Sequence, residues 1–246
     1  QRNTLIKMFF LIDLDGTLLN TDYLHYQAWS KVLKLSPEYI EKVVTTHGIN
    51  YILEDFPDPS YLRRQKIKEM LQFEEIKLMK NAETFIRFII ENNIDHAVVT
   101  NTDRKVVEHF KQKVPILNKL KKWIVREDYE KPKPDPECYR LALGDHDGTV
   151  FGFENSKEGL EALSKVTSNI FHIHPKTDYL KVLEQLKIQC PKRFGTHPTN
   201  LNHMGKKRSR LSKHAFAMAG SLALVIALQN LKSGCLTSSE RNMDSL

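Results

Sequence analysis

Across residues 1–188, short apolar runs alternate with amphipathic stretches of helical period, the pattern of an α/β domain built on a parallel sheet. Five runs read as strands: Met8–Leu14, Ile94–Thr100, Lys122–Arg126, Thr149–Phe153 and Asn169–Ile173. Each is short, apolar and bounded. Amphipathic helices are expected at Ala82–Asn93, Asp103–Gln112, Asp135–Leu143, Ser156–Val166 and Thr177–Leu186, with Thr102 and Asn155 as caps. The gap between the first two strands holds three further helical patterns, at Tyr23–Leu35, Pro37–His47 and Pro59–Lys80. That is too much for a simple crossover, so an inserted helical subdomain is expected.

Composition adds little until it is resolved along the chain. The 246 residues are 41% hydrophobic and 27% charged, which excludes disordered, collagen-like and multi-span membrane classes. Three scattered cysteines, Cys138, Cys190 and Cys235, offer neither a disulfide framework nor a zinc site. With no amino-terminal signal pattern, a reducing, cytoplasmic setting is expected. The formal charge of +7 suggests an anionic partner, but all of the surplus lies in residues 189–246. Residues 1–188 are charge-balanced, so no nucleic-acid partner is expected. Pro191, Gly195, Pro198 and Gly205 mark the start of the tail as linker.

Candidate chemistry clusters at strand ends. The first strand runs into Asp13-Leu14-Asp15-Gly16-Thr17, placing two carboxylates at spacing i, i+2 where parallel sheets bind ligands. Two such charges call for a divalent cation or a shared proton. The second strand ends in Thr100-Asn101 before a helix start, an anion site by type. Beyond the third lies Lys131-Pro132-Lys133-Pro134, whose prolines hold a lysine near phosphate reach. The fourth ends in Glu154-Asn155. Each element alone has an ordinary reading as a turn, a cap or a solvated loop. Together, in this order, they form one constellation.

Over roughly residues 8–175 these motifs resemble the haloacid dehalogenase superfamily, which implies a Rossmann-like core and phosphoryl transfer through an aspartyl-phosphate. Carried over, Asp13 resembles the nucleophile, Asp15 the general acid and base, and Thr100 and Lys131 the stabilisers of the phosphoryl group. The resemblance further implies Mg2+ held by Asp13, Asp15, Glu154 and Asn155. Asp15 is similar to the phosphatases and phosphomutases rather than the halide-displacing branch. The segment Asp22, His25, Ala28, Trp29 resembles the hinge and first cap helix of beta-phosphoglucomutase-like and phosphoglycolate-phosphatase-like members. The domains expected are a core at 1–19 and 81–188, a cap at 20–80 and a tail at 189–246. Asn101, His25, His47 and Arg63 or Arg64 are the candidates to meet substrate.

Two features depart from this picture. Asp145-His146-Asp147-Gly148-Thr149 repeats the first motif, but it precedes a strand and reads as a surface turn at the sheet's other end. Asn155 stands where the family usually shows Asp, bringing an oxygen without a charge. The leading expectation is a Mg2+-dependent phosphatase acting on a small phosphorylated metabolite. A sugar phosphomutase and a catalytically weakened phosphate-binding or membrane-tethered protein are the alternatives. In the tail, the basic string Lys206–Lys213 precedes an apolar run at Ala215–Leu228, too short to span a bilayer. Residues 206–231 could instead meet an anionic membrane surface, dock on the core, act as an import-like basic string, or have no bearing on catalysis.

Overall fold

The computed structural model describes residues 7–190 and Phe194. The chain divides into two units, Gln1–Thr196 and His197–Leu246. The second lies outside the described residues, and so does the expected membrane-surface contact through 206–231. Among the described residues no helix is long and apolar enough to cross a membrane.

The strands are β1 (Met8–Ile12), β2 (Asp95–Val99), β3 (Trp123–Ile124), β4 (Thr149–Glu154) and β5 (Ile170–His172). They form a five-stranded sheet in the order β3-β2-β1-β4-β5, parallel throughout. β1 is central, with Phe10 opposite His96 of β2 and Phe151 of β4. The chain winds to one side of β1 through β2 and β3, then crosses to the other side for β4 and β5. The crevice at such a reversal, at the carboxyl ends of the strands, is where ligands bind in open α/β sheets.

Both faces of the sheet are covered, which explains the unbroken apolar runs. Met8, Phe10 and Ile12 pack on one face with Phe85, Ile89, Phe110 and Tyr179. Phe9 and Leu11 face the other way, against Tyr139, Ala142 and Leu163. The helices responsible are α5 (Ala82–Glu91), α6 (Arg104–Lys113), α7 (Glu137–Leu143), α8 (Lys157–Ser164) and α9 (Tyr179–Gln189).

Between β1 and β2 come α1 (Asp22–Leu33), α2 (Pro37–His47), α3 (Asn50–Leu53) and α4 (Pro59–Met70). Their apolar centre is separate, built from Trp29, Leu33, Ile40, Val43, Ile52 and Leu53. Helices α2 and α4 start as their sequences dictate: Ser36 and Asp58 accept from the N–H groups of Tyr39 and Tyr61, with Pro37 and Pro59 in the first turn.

Several expected boundaries move. The helix expected to reach Lys80 ends at Met70, and Asn20 and Met79 then join the two crossings by backbone hydrogen bonds to Lys77 and Leu18. Ser156, not Asn155, caps α8, accepting from the Gly159 N–H. Asp103, not Thr102, occupies the capping position of α6. Both displaced residues turn their side chains elsewhere, into the crevice.

Candidate active site

Asp13 directly follows β1 and is buried, its N–H bonded to the Phe153 carbonyl. The lysine that meets it is Lys133, whose Nζ lies 2.6 Å from Asp13 Oδ1, 2.8 Å from Glu154 Oε2 and 2.9 Å from the Val99 carbonyl. The expectation for Lys131 is corrected here. Lys131 is exposed, and its backbone N–H, with that of Glu130, is held by the Glu137 carboxylate. That brace fixes the first Lys-Pro pair at the surface and delivers the second to the strand ends. Nothing in the repeat Lys-Pro-Lys-Pro distinguishes the two.

Glu154 is fully buried and its oxygens are committed. Oε2 takes Lys133 and the Tyr139 hydroxyl, and Oε1 takes the N–H groups of Asn155 and Ser156 and the Ser156 hydroxyl. Burial alone would raise Glu154, but Lys133 and these donors outweigh it and hold the carboxyl below its ordinary value. Burial and the Glu154 charge push Asp13 well up, against the pull of Lys133. Lys133 is raised well above an ordinary lysine; burial opposes its charge, and Asp13 and Glu154 more than restore it. The Lys133 bond falls on Oδ1 of Asp13, which leaves Oδ2 for an electrophile or a cation.

Asp15 is held by four donors. Oδ1 accepts from the Thr21 hydroxyl at 2.6 Å and His25 Nε2 at 2.8 Å. Oδ2 accepts from the Thr102 hydroxyl at 2.7 Å and the Thr100 hydroxyl at 3.3 Å. Burial opposes its charge, yet His25 and the hydroxyls hold it far below the usual carboxylate range. His25 is itself lowered, by burial and then by Lys66, whose Nζ stands 2.9 Å from Nδ1. The ring is therefore neutral, with its proton on Nε2 and the Nδ1 lone pair accepting from the ammonium. Burial brings Lys66 down to about 8. Thr21 and Lys66 were not singled out in the sequence, and Thr102 was expected only as a cap. Thr21 precedes His25 by one helical turn, a usable signal, whereas Lys66 arrives from a separate helix with none.

Asn155 spends its amide on two partners: Oδ1 accepts from the Thr17 hydroxyl at 3.2 Å and Nδ2 donates to Asp22 Oδ2 at 3.1 Å. Burial, Asp15 and Glu154 raise Asp22 to about 6. Thr100 lies in the site, while Asn101 uses its carbonyl oxygen on the Tyr129 hydroxyl and the Lys133 N–H. His47 instead stacks on Tyr51, and Arg63 bonds Asn50. The second Asp-X-Asp-Gly-Thr string sits at the amino end of β4, with Asp147 paired to Lys7.

Among the described residues no group of three or more His, Cys, Asp and Glu side chains is arranged to hold a metal ion. The reason is visible: the carboxylates of Asp15 and Glu154 are consumed by protein donors. What is left is an oxygen-only set, Asp13 Oδ2, Asn155 Oδ1 and the Asp22 carboxylate. Burial first, and then neighbouring negative charge, raises both Asp13 and Asp22. Oxygen donors under a negative field suit a hard divalent cation, so these residues fit Mg2+.

A family model for haloacid dehalogenase-like hydrolases matches residues 10–150. No curated protein matches the chain. Among solved structures, CbbY from Rhodobacter sphaeroides in complex with phosphate is similar at 23% identity and TM-score 0.56, over 65% of this chain and 82% of that one. A candidate phosphoglycolate phosphatase from Lactobacillus plantarum gives 18% and 0.58, over 74% and 99%. A candidate beta-phosphoglucomutase from Thermotoga maritima gives 20% and 0.52, over 73% and 91%. At these identities the likeness is one of fold. With the family model spanning residues 10–150, more than half of the chain, including all of β2 and the loops that carry Asp13, Thr100 and Lys133, the chain belongs to the haloacid dehalogenase-like hydrolases.

Proposed function

We propose that this hydrolase is a Mg2+-dependent phosphatase acting on a small phosphomonoester. The observation that carries the reading is the pairing of Asp13 with Lys133 at 2.6 Å, two residues from an Asp15 held by four donors. Asp13 Oδ2 attacks phosphorus, the ester P–O bond breaks, and the leaving oxygen takes a proton from Asp15. Asp15 draws that proton from His25 Nε2 as Lys66 reprotonates Nδ1, a relay the contacts at 2.8 and 2.9 Å support. Asp15, again a carboxylate, then takes a proton from water as the water attacks the aspartyl-phosphate and frees Asp13, and that proton returns through His25 to Lys66. Mg2+, held by Asp13 and Asn155, would supply charge neutralisation on the transferring group.

The full chain assayed against a broad phosphomonoester panel should release phosphate only with Mg2+ present, and Asp13→Asn should fall to background. Full activity in Asp13→Asn, or no release from any ester, overturns the proposal. Incubation with a sugar phosphate separates the phosphomutase alternative, since a mutase passes the aspartyl-phosphate to sugar rather than water.

A further inference from the structure

The free oxygens of the crevice carry less charge than its carboxylate count suggests. Asp15 and Glu154 are consumed by hydroxyl, imidazole, ammonium and backbone donors, and Asn155 is neutral. Asp13 alone would meet a cation with an uncommitted anionic oxygen from the core. Asp22 stands beside this deficit. It is the first residue of α1, and the hydrogen bond that its side chain makes among the described residues is the 3.1 Å contact from Asn155 Nδ2. No cation is paired with it there.

Gly16 shows how closely these groups converge. A Cβ on Gly16 would stand 1.9 Å from Asn155 Nδ2 and 2.3 and 2.6 Å from the two Asp22 oxygens, and its φ is +72°. The amide and the carboxylate therefore meet over the Gly16 Cα, in space that only a glycine leaves open. The bond has a second consequence. A carboxylate can only accept, so it must face the NH2 of Asn155, which turns Oδ1 away toward Thr17 and the site.

We infer that Asp22 supplies the negative charge missing at Asn155: its carboxylate orients the Asn155 amide and completes the field that binds a divalent cation. The inference rests on the metal-dependent reading above. It makes a residue of the inserted helices a part of the metal centre. A first-turn acid complementing the helix dipole is the ordinary role for Asp22. That role does not call for a contact with Asn155, and it predicts no effect on metal affinity.

The test is metal affinity, measured by calorimetry with Mg2+ and by Mn2+ paramagnetic resonance on the full chain, without substrate. Asp22→Asn should weaken binding by about tenfold or more. In an Asn155→Asp background, where the charge is restored, the same substitution should cost much less. Asp22→Ser serves if Asp22→Asn fails to fold, as judged by its melting transition. Asp22→Asn binding the metal as tightly as the unsubstituted chain overturns the inference while leaving the phosphatase reading intact. An unsubstituted chain that binds neither ion overturns both.

Discussion

The identity of a single lysine decides how Asp13 can act. Lys133 is enclosed between Asp13 and Glu154, with its side chain 3% exposed, and a buried pair loses most when one partner is deleted. Lys133→Met is expected to abolish turnover and to lower unfolding free energy by about 3–5 kcal/mol in denaturant titration. Lys131→Met, at the exposed lysine, should leave both nearly unchanged. Lys66 offers a test in pH. Its folded value of about 8 lies below the ordinary 10.5, so the unfolded chain holds the proton more tightly between those values. Stability from this group is therefore lowest below pH 8 and rises as pH climbs from 8 toward 10.5. Measured against Lys66→Met, the original chain should gain up to about 3 kcal/mol across that window. A difference that stays flat would show that Lys66 is not desolvated as described.

At the scale of elements, the loop and helix after β4 depend on Gly159. A Cβ there would stand 2.0 Å from Glu154 Oε2, a carboxylate held in place by five donors. Gly159→Ala should cost about 1–3 kcal/mol and reduce turnover by displacing Lys133 with its partner. Melting transitions and the phosphate-release assay check both effects. The same elements show how much was legible beforehand. The inner strands β1, β2 and β4 could be read because they are buried over most of their length, and Asp13, Asp15, Thr100 and Glu154 follow directly from where strands end. The choice between Lys131 and Lys133 could not be read, because it is made by Glu137 bracing two backbone N–H groups, a tertiary contact with no local signature. Thr102 and Asn155 looked like helix caps because their types suit caps, yet contacts with Asp15 and Asp22 claim their side chains instead.

Taken as a molecule, the described unit assembles its crevice from distant parts. Asp15 is held by residues 21 and 25 of the inserted segment and by 100 and 102 beyond β2, while Lys133 must cross from the loop after β3. The contacts from Thr21 and His25 are lost if the sheet and the inserted helices separate, while those from Thr100, Thr102 and Lys133 stay within the core. The burial of Lys133 beside the open position of Lys131 thus becomes a built-in reporter. An amine-acylating reagent, followed by peptide mass spectrometry, should mark Lys131 at once. It should reach Lys133 only through openings that expose the core, at a rate set by the free energy of global unfolding. Two neighbouring lysines would then serve as clock and reference, measuring the stability of the site in one tryptic digest, without any knowledge of the substrate.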